Sequence, residues 1–244
     1  MRIFGIHAVG AVLANPQRPI SRLLLTDNAR HRLAARLAAR GVEPEPTAPR
    51  DLDRLLGGET VHQGALVETG ELPTPDLAGL VRDAGASGPA PLLVVLDQVT
   101  DPHNVGAVLR SAAVFGVAGL VLTWRNSPPS AGVLAKVASG GLEHVPVVRV
   151  GNLARALAEL GELGVTRIGL DGEAEAALED VAVAGPVALV LGAEEKGLRR
   201  LTRDCCDRIC RISTFGAIQS LNVSNAAAIA MHTVRLVARR AGTT

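Results

Sequence analysis

The sequence has few aromatic residues: its 244 residues include one Trp, three Phe and no Tyr. The core must therefore be built from Ala, Val, Leu and Ile, and the 48% share of hydrophobic residues is large enough for a sizeable one. The same scarcity argues against an extended row of aromatic platforms that stack successive bases of single-stranded nucleic acid.

Cysteines are also few, and long apolar runs are missing. Cys205, Cys206 and Cys210 form one odd-numbered cluster, which suits neither a disulfide framework nor a zinc site. The six histidines are scattered without metal-ligand spacing, so we expect no metal centre. No apolar run approaches the length of a membrane span and no signal peptide precedes the patterned sequence. We therefore expect a cytoplasmic protein with reduced thiols and no membrane segment.

Positive charge is carried almost entirely by arginine, since Lys136 and Lys196 are the only lysines. The net charge of +1 hides an uneven distribution: residues 1–50 contain eight Arg and three acidic residues, whereas residues 51–90 contain two Arg and seven acidic residues. The preference for arginine suits bidentate contacts to phosphate, and the base composition of the source genome explains it equally well.

The hydrophobic pattern divides the chain into a small α/β domain at 1–70, a Pro- and Gly-rich linker at 71–91, and a larger α/β domain at 92–244. The small domain contains a predicted strand at 21–26 and a predicted helix at 30–40. The larger domain alternates predicted strands (92–97, 119–123, 145–150, 166–171, 187–192 and 207–212) with predicted helices (101–116, 131–138, 152–163, 197–203 and 221–239). Continuously apolar strands separated by helices predict a parallel sheet covered on both faces, with ligands at the carboxyl ends of its strands.

The stretch DPHNVGAVLRSAAVFG, residues 101–116, follows the first strand of this sheet. We interpret Asn104 as the residue that caps the helix. Both faces of the helical wheel are apolar apart from Arg110, so the helix is predicted to be buried on both sides. His103 is either a proton relay or a turn residue.

Arg110 has no acidic residue three or four positions away on its helix. Because an unpaired buried charge is costly, its guanidinium needs an acceptor elsewhere. The candidates are Glu194 or Glu195, a backbone carbonyl, or a phosphate or hydroxyl group of a ligand. A structural salt bridge and a functional role therefore remain equally open for Arg110.

A second polar stretch, LVLGAEEKGLRRLT at 189–202, follows another strand. Gly192 and Gly197 bracket a tight loop, and Gly197 would let the backbone approach a ligand closely. The stretch matches neither the G-x-G-x-x-G dinucleotide motif nor the P-loop. A nucleotide-dependent oxidoreductase would need a glycine fingerprint after the first strand of the sheet, where the sequence is DQVTDPHNVG, so this alternative is unfavoured. Taken alone, the loop is also explained as a plain strand-to-helix turn.

A third stretch places Ser220, Asn222, Ser224 and Asn225 at the start of the long C-terminal helix. Four polar residues exceed what capping needs, and a helix N-terminus suits a polar ligand group, although redundant capping is the alternative. In the small domain, residues 62–64 (HQG) either touch a substrate or shape a turn.

Together the three stretches resemble the motifs of the SpoU/TrmH family of RNA ribose 2′-O-methyltransferases, within the SPOUT class. The family's motif 1 falls on Asn104 and Arg110, and its motif 2 on Glu194. Its motif 3 falls on Ser220 and Asn222. FGIHAV (4–9) and VHQG (61–64) resemble the small substrate-binding domain of family members that act on guanosine in large-subunit rRNA, so the resemblance covers nearly the whole chain.

The resemblance implies a deep trefoil knot in which the C-terminal end of the chain threads through a loop, an exception to the rule against threaded chains. It implies S-adenosyl-L-methionine as cofactor, contacted at Gly192, Ile212 and Leu221, and a homodimer whose active site uses both subunits. Arg110, Asn104, Glu194, Ser220 and Asn222 are the implied catalytic residues, and no metal is needed.

The implied activity is 2′-O-methylation of a ribose in RNA, with a guanosine of 23S rRNA as the expected target. Two alternatives stay open: a tRNA target, and an RNA-binding ribosome-assembly factor without catalysis. Arg110 acts either as a base or as an electrostatic clamp. Because a guanidinium remains protonated in proteins, we favour the clamp, with Asn104 and Glu194 orienting it.

Overall fold

The structure, a computed structural model, describes residues 1–85, 89–127, 134, 137, 138, 140–194, 196–218 and 220–242. The chain forms two compact units, Met1–Pro73 with Ser130–His144, and Thr74–Pro129 with Val145–Thr244. The second boundary differs from the sequence-based division, because residues 130–144 group with the first unit. The helix predicted at 131–138 lies largely outside the described residues.

The described part of the first unit contains a small sheet and three α-helices. Its elements in chain order are β1 (Arg2–Phe4), α1 (Ile6–Ala14), β2 (Ile20–Leu25), α2 (Asp27–Arg40), β3 (Glu45–Pro46), α3 (Pro49–Leu56) and β4 (Ala65–Thr69), followed later in the chain by a 3-10 helix (Gly141–Glu143). The strand order is β1-β4-β2-β3, with β4 antiparallel to β1 and β2 and with β3 parallel to β2. The small α/β domain predicted here is confirmed.

Helix α2 shows how the sequence sets its own boundaries. The side chain of Thr26 caps the helix, Asp27 places negative charge in the first turn, and Gly41 ends the helix with a left-handed φ of 68°. Leu33 and Leu37 are four residues apart and both lie in the core of the unit. The predicted helix at 30–40 therefore begins three residues too late, because the cap was not recognised.

A buried ion pair fixes the 3-10 helix within the first unit. The Nη2 atom of Arg18 lies 2.7 Å from Oε1 of Glu143, and the two side chains are 3% and 1% exposed. Asn15 donates a hydrogen bond of 3.0 Å to the other carboxylate oxygen, and Leu142 packs against the core cluster of the unit. Residues 140–144 are therefore an integral part of the first unit.

The second unit contains a seven-stranded sheet and helices. Its elements are α4 (Leu77–Gly85), β5 (Leu92–Asp97), α5 (Pro102–Val114), β6 (Gly119–Thr123), β7 (Val147–Val150), α6 (Leu153–Glu162), β8 (Thr166–Leu170), β9 (Ala176–Ala177), a 3-10 helix (Leu178–Asp180), β10 (Val187–Gly192), α7 (Arg200–Asp204), β11 (Arg208–Arg211) and α8 (Val223–Arg240). The strand order is β7-β6-β5-β10-β8-β11-β9, and every pair in it is parallel. The predicted parallel sheet is confirmed.

Helices cover this sheet on both faces. Leu93 and Val95 of β5 join a core cluster with α4 and α6, while the alternate residues Val94 and Leu96 are buried on the opposite face. Helix α5 packs against α8 and β6, and α8 packs against β10. Because all strands of this sheet are parallel, their carboxyl ends lie at one edge. The polar segments after β5, β10 and β11 lie along that edge. The trefoil knot stays a prediction.

The predicted linker at 71–91 contains helix α4, which the sequence analysis missed. Its Leu77 and Leu80 are 4% and 3% exposed and belong to the core of the second unit. The prolines and glycines around this helix favoured the prediction of a linker, although the spacing of Leu77 and Leu80 is typical of a helix. Within the described ranges, no helix is both long enough and apolar enough to cross a membrane.

Candidate active site

The first polar segment after β5 is organised by Asp101, not by Asn104. The side chain of Asp101 accepts a hydrogen bond of 2.9 Å from the backbone N–H of His103, and Pro102 occupies the first turn of α5. The interpretation of Asn104 as the cap is therefore wrong. The amide of Asn104 is therefore available for other partners.

Asn104, Glu194 and Asn222 form one hydrogen-bonded cluster, which we call the amide–carboxylate cluster. Nδ2 of Asn104 donates to Oε1 of Glu194 at 3.1 Å, and Nδ2 of Asn222 lies 2.5 Å from the same oxygen. Nδ2 of Asn222 also donates to Oδ1 of Asn104 at 3.0 Å. The cluster joins three segments that are 90 and 28 residues apart in sequence, and these are the three segments that the motifs predicted to converge.

Asn222 belongs to the cluster and also caps α8. Its Oδ1 atom accepts hydrogen bonds from the backbone N–H of Ser224 at 2.9 Å and from the Ser224 hydroxyl at 2.6 Å. The backbone N–H of Val223 donates to Oε1 of Glu194 at 3.3 Å, so the carboxylate lies at the positive end of the helix dipole. Asn222 thus serves both the cap of α8 and the cluster.

Arg110 is exposed, and among the described residues it has no hydrogen bond or ion pair. Ala107 and Val114, which share its face of α5, are also exposed, Val114 by 75%. The prediction that α5 is buried on both sides is therefore wrong. No bond from Arg110 to Asn104 or Glu194 is found among the described atoms, so the described contacts do not support a structural salt bridge with Glu194.

The Glu194 loop is closed by backbone contacts that demand glycine. A Cβ atom on Gly192 would lie 2.1 Å from the carbonyl carbon and oxygen of Gly197, and Gly197 itself has a φ of 60°. The N–H of Gly197 donates to the carbonyl of Ala193 at 2.8 Å. A close backbone approach was predicted between Gly197 and a ligand. In the structure, the close approach is between Gly192 and the backbone of Gly197, and Gly197 provides the left-handed turn.

Asp97 and Arg199 anchor the end of this loop to β5. The Asp97 carboxylate is fully buried, and it accepts hydrogen bonds from the backbone N–H of Arg199 at 3.1 Å and from Nε of Arg199 at 2.7 Å. Asp97 and Gly192 are register partners in neighbouring parallel strands. The sequence analysis missed this pair because its members are 102 residues apart.

The predicted cofactor residues lie at the same carboxyl edge. Gly192 ends β10, the half-buried Ile212 directly follows β11, and Leu221 is 38% exposed just before α8. Ser220, the fifth predicted catalytic residue, is exposed in the same loop. The hydroxyl of Ser213 donates to Glu179, which lowers the pKa of that carboxyl group and ties the loop after β11 to the neighbouring 3-10 helix.

His62 and Gln63 organise a turn in the first unit. Nδ1 of His62 accepts the N–H of Gly64 at 3.0 Å, and its Nε2 lies 3.0 Å from Oδ1 of Asp53. The side chain of Gln63 accepts the N–H of Ile6 at 3.0 Å. These bonds favour the turn-shaping alternative for residues 62–64. In the parts of the chain that the structure describes, no group of three or more His, Cys, Asp or Glu residues could hold a metal ion.

Two family models match the chain. Residues 91–232 match the SpoU rRNA Methylase family, and residues 2–75 match the RNA 2′-O ribose methyltransferase substrate binding family. The first match, 91–232, contains all of the predicted catalytic and cofactor-contacting residues. The second match, 2–75, contains the small sheet of the first unit.

Curated relatives match over nearly the whole chain. The chain is 42% identical over 236 residues to the 23S rRNA (guanosine-2′-O-)-methyltransferase RlmB of Shewanella oneidensis, covering 94% of each protein. It is 41% identical over 239 residues to the protein of the same name from Yersinia pestis, covering 95% of each.

Solved structures share the fold. The SpoU methyltransferase AviRb of Streptomyces viridochromogenes, in complex with AdoMet, superposes with a TM-score of 0.79 at 24% identity, over 100% of this chain and 91% of that one. An AdoMet-bound rRNA methyltransferase from Sinorhizobium meliloti gives a TM-score of 0.76 at 19% identity, over 96% and 86%.

The chain therefore belongs to the SpoU rRNA methylase family. It is an RNA 2′-O-ribose methyltransferase, as the motif resemblance predicted, and the predicted SPOUT-type α/β fold is confirmed.

Proposed function

We propose that the chain transfers the methyl group of S-adenosyl-L-methionine to the 2′-oxygen of a guanosine ribose in 23S rRNA. The observation that carries the proposal is the amide–carboxylate cluster, which joins residues of all three family motifs; its Asn104 lies on α5, the helix that also carries Arg110. The rRNA target is supported by relatives of that name that are 42% and 41% identical along nearly their whole length.

S-adenosyl-L-methionine, when bound, supplies an electrophilic methyl group on a sulfonium centre. The chain's own residues fit such a group, because Gly192, Ile212 and Leu221 bring three strand-end or loop segments to one edge of the sheet. We assign cofactor binding to these residues, largely through their backbone. The anionic Glu194 nearby favours a positively charged partner.

Arg110 acts on the RNA in this proposal. Its guanidinium stays protonated in proteins, so it is unsuited to accept the hydroxyl proton. An exposed arginine with a planar fork of donors is suited to bind a phosphate group or the ribose oxygen. Held there, its charge stabilises the alkoxide character that develops on the attacking 2′-oxygen.

The amide–carboxylate cluster positions the reacting groups. The reaction needs alignment of the 2′-oxygen with the methyl group and an acceptor for the hydroxyl proton. Asn104 and Asn222 hold Oε1 of Glu194, whereas Oε2 accepts no hydrogen bond from a described residue. We assign proton acceptance to that oxygen, and positioning of the ribose or cofactor to Ser220 and Asn222.

A homodimer is part of the proposal. Helices α5 and α8 pack against each other, and each has a continuous exposed stripe at helical spacing. The two stripes are formed by His103, Ala107, Arg110 and Val114 on α5, and by Asn225, Ile229, His232 and Leu236 on α8. A second copy covering the apolar members of these stripes would bring Arg110 into an active site shared by both subunits. Sedimentation of the wild-type protein and of Val114→Glu tests this arrangement. We expect the wild type to be a dimer and Val114→Glu to be a monomer with lower methyltransferase activity.

The function is tested by transfer of labelled methyl groups to RNA. Unmodified 23S rRNA transcript should become labelled at one guanosine 2′-oxygen, and 23S rRNA from cells lacking the protein should lose that modification. Labelling of tRNA in place of rRNA would overturn the target, and cofactor-independent RNA binding without any labelling would overturn the enzymatic assignment.

A further inference from the structure

Trp124 is the single tryptophan of the chain, and it is 67% exposed. An indole ring carries a large apolar surface that proteins usually bury for the most part. In a protein with so few aromatic residues, an exposed Trp therefore indicates a surface that binds another molecule.

The topology places Trp124 at the edge of the sheet that holds the amide–carboxylate cluster. It directly follows β6, which pairs with β5 in a register that matches Val121 with Val95. Two residues further along, the same register brings Thr123 level with Asp97, the partner of Gly192 in β10. Trp124 thus lies about two strand spacings, roughly 10 Å, from the end of β10.

One face of the indole ring is held by an arginine. The guanidinium carbon of Arg149 lies 5.8 Å from the ring centroid of Trp124, a cation–π distance. The backbone N–H of Trp124 donates to the carbonyl of Val150 at 3.0 Å, which fixes the residue against the end of β7. The ring is therefore oriented by the protein while most of its surface faces solvent.

The surroundings of the ring are positively charged. Arg125 follows Trp124 directly and is exposed, and Arg155 is exposed in the first turn of α6, the helix that begins after β7. Segments 124–127 and 149–155 contain three arginines and no carboxylate. This combination of a free aromatic face and flanking cations is the chemistry by which proteins bind single-stranded nucleic acid.

We propose that Trp124 stacks on an unpaired base of the RNA substrate, a few nucleotides from the methylated ribose, while Arg125 and Arg155 contact the adjoining phosphates. The inference rests on the proposed function for its choice of RNA as the partner. Unstacked bases of single-stranded RNA commonly stack on aromatic side chains. Arg149, on the other face of the Trp124 ring, extends this stack.

The single Trp of these 244 residues makes the test direct, because the intrinsic tryptophan fluorescence of the chain reports on this ring alone. Titration with unmodified 23S rRNA transcript, without cofactor, should quench the fluorescence saturably. Trp124→Ala should weaken RNA affinity by about 5- to 100-fold and raise KM for RNA more than it lowers kcat, whereas Trp124→Phe should retain most of the affinity. Cofactor affinity should stay within twofold of wild type.

Leu163→Ala is the matched control. Leu163 is an exposed apolar residue at the opposite end of α6, where the chain returns to the amino edge of the sheet, and its substitution should leave RNA affinity unchanged. Tight RNA binding without quenching, with equal affinity for wild type and Trp124→Ala, would overturn the proposal. Loss of dimerisation in Trp124→Ala at unchanged RNA affinity would also overturn it, since the ring would then contact a second copy.

The readout is independent of catalysis. A protein that fails to methylate 23S rRNA but shows saturable quenching by a single-stranded RNA would contradict the proposed rRNA target and support the stacking site. A protein that methylates 23S rRNA without any change in Trp124 fluorescence would support the function and overturn the stacking site.

Discussion

Nδ2 of Asn222 lies 2.5 Å from Oε1 of Glu194, and Oδ1 of the same Asn222 accepts the backbone N–H of Ser224 in the first turn of α8. One amide therefore serves two purposes: its oxygen stabilises the helix, and its nitrogen orients a carboxylate. The two purposes can be separated by substitution.

Asn222→Ser should separate stability from activity. A serine oxygen still caps α8, so the free energy of unfolding should change by less than about 0.5 kcal/mol, but the amide Nδ2–H donor that reaches Oε1 of Glu194 is lost. We expect turnover to fall by about tenfold or more. Asn222→Ala, the control, should additionally lose about 1 kcal/mol of stability in chemical denaturation. Wild-type turnover in Asn222→Ser would remove the donor from the mechanism.

Glu194→Gln should preserve the geometry of the cluster and remove proton acceptance. The amide oxygen of Gln can accept the same hydrogen bonds from Asn104, Asn222 and Val223. We expect turnover with 23S rRNA to fall by about 10²- to 10⁴-fold, with cofactor affinity nearly unchanged in calorimetry. Glu194→Ala should impair both. A Gln variant that turns over normally would restrict Glu194 to a positioning role.

Arg110→Ala should abolish turnover without affecting the fold. Because Arg110 is exposed and has no partner among the described residues, we expect a change in unfolding free energy within about 0.5 kcal/mol. Arg110→Lys keeps the charge but loses the bidentate fork, so its turnover should also be strongly reduced. Arg208→Ala, another exposed arginine of the same unit, is the control for general loss of RNA attraction. Equal activity of the Arg110 and Arg208 variants would contradict the assignment.

Gly192→Ala should be far more damaging than Gly197→Ala. A Cβ at Gly192 collides with the backbone of Gly197 at 2.1 Å, whereas a Cβ at Gly197 meets nothing within 4 Å. Gly197→Ala should therefore cost about 1 kcal/mol for its left-handed φ, and Gly192→Ala at least twice as much, with loss of cofactor binding. Thermal unfolding and calorimetry measure the two quantities. Equal effects of the two substitutions would contradict the close approach.

Cys206 should resist alkylation in the folded protein at neutral pH. Burial, assisted by Cys205, raises the pKa of its thiol to about 12, so the reactive thiolate is scarce until strongly alkaline pH. The same shift makes the folded state lose stability as pH rises from about 8.5, where the unfolded thiol ionises, towards 12. Mass spectrometry after iodoacetamide treatment should show slow labelling of native Cys206 and fast labelling in urea. Equal rates would refute the burial effect.

Much of the second unit could be predicted from local pattern. Residues 92–97 and 187–192 are continuously apolar, and both are buried central strands of the parallel sheet. The convergence of Asn104, Glu194 and Asn222 also followed from the rule that polar segments after parallel strands share one edge. The prediction held because the parallel direction of the strands places all of these segments at the same edge of the sheet.

Other features could not be predicted, and the reasons differ. Asp101 and Asn104 are both competent caps, and the position of Pro102 decides between them. Ala107 and Val114 are apolar but exposed. Residue type alone does not distinguish a helix face that packs in the core from an apolar face that is exposed on the surface. The Asp97–Arg199 and Arg18–Glu143 pairs are 102 and 125 residues apart, so no local signal connects them.

The Arg18–Glu143 pair makes the first unit discontinuous along the chain, and this affects how the protein is made. Domains generally fold as units during synthesis, beginning at the N-terminus. Here the first unit has to wait, because Glu143 reaches Arg18 only after the ribosome has translated residues 74–142 and with them the first strands of the second sheet. A nascent chain that pauses before residue 143 would leave the Arg18 guanidinium without its carboxylate, so the first unit is completed only after part of the second has been translated.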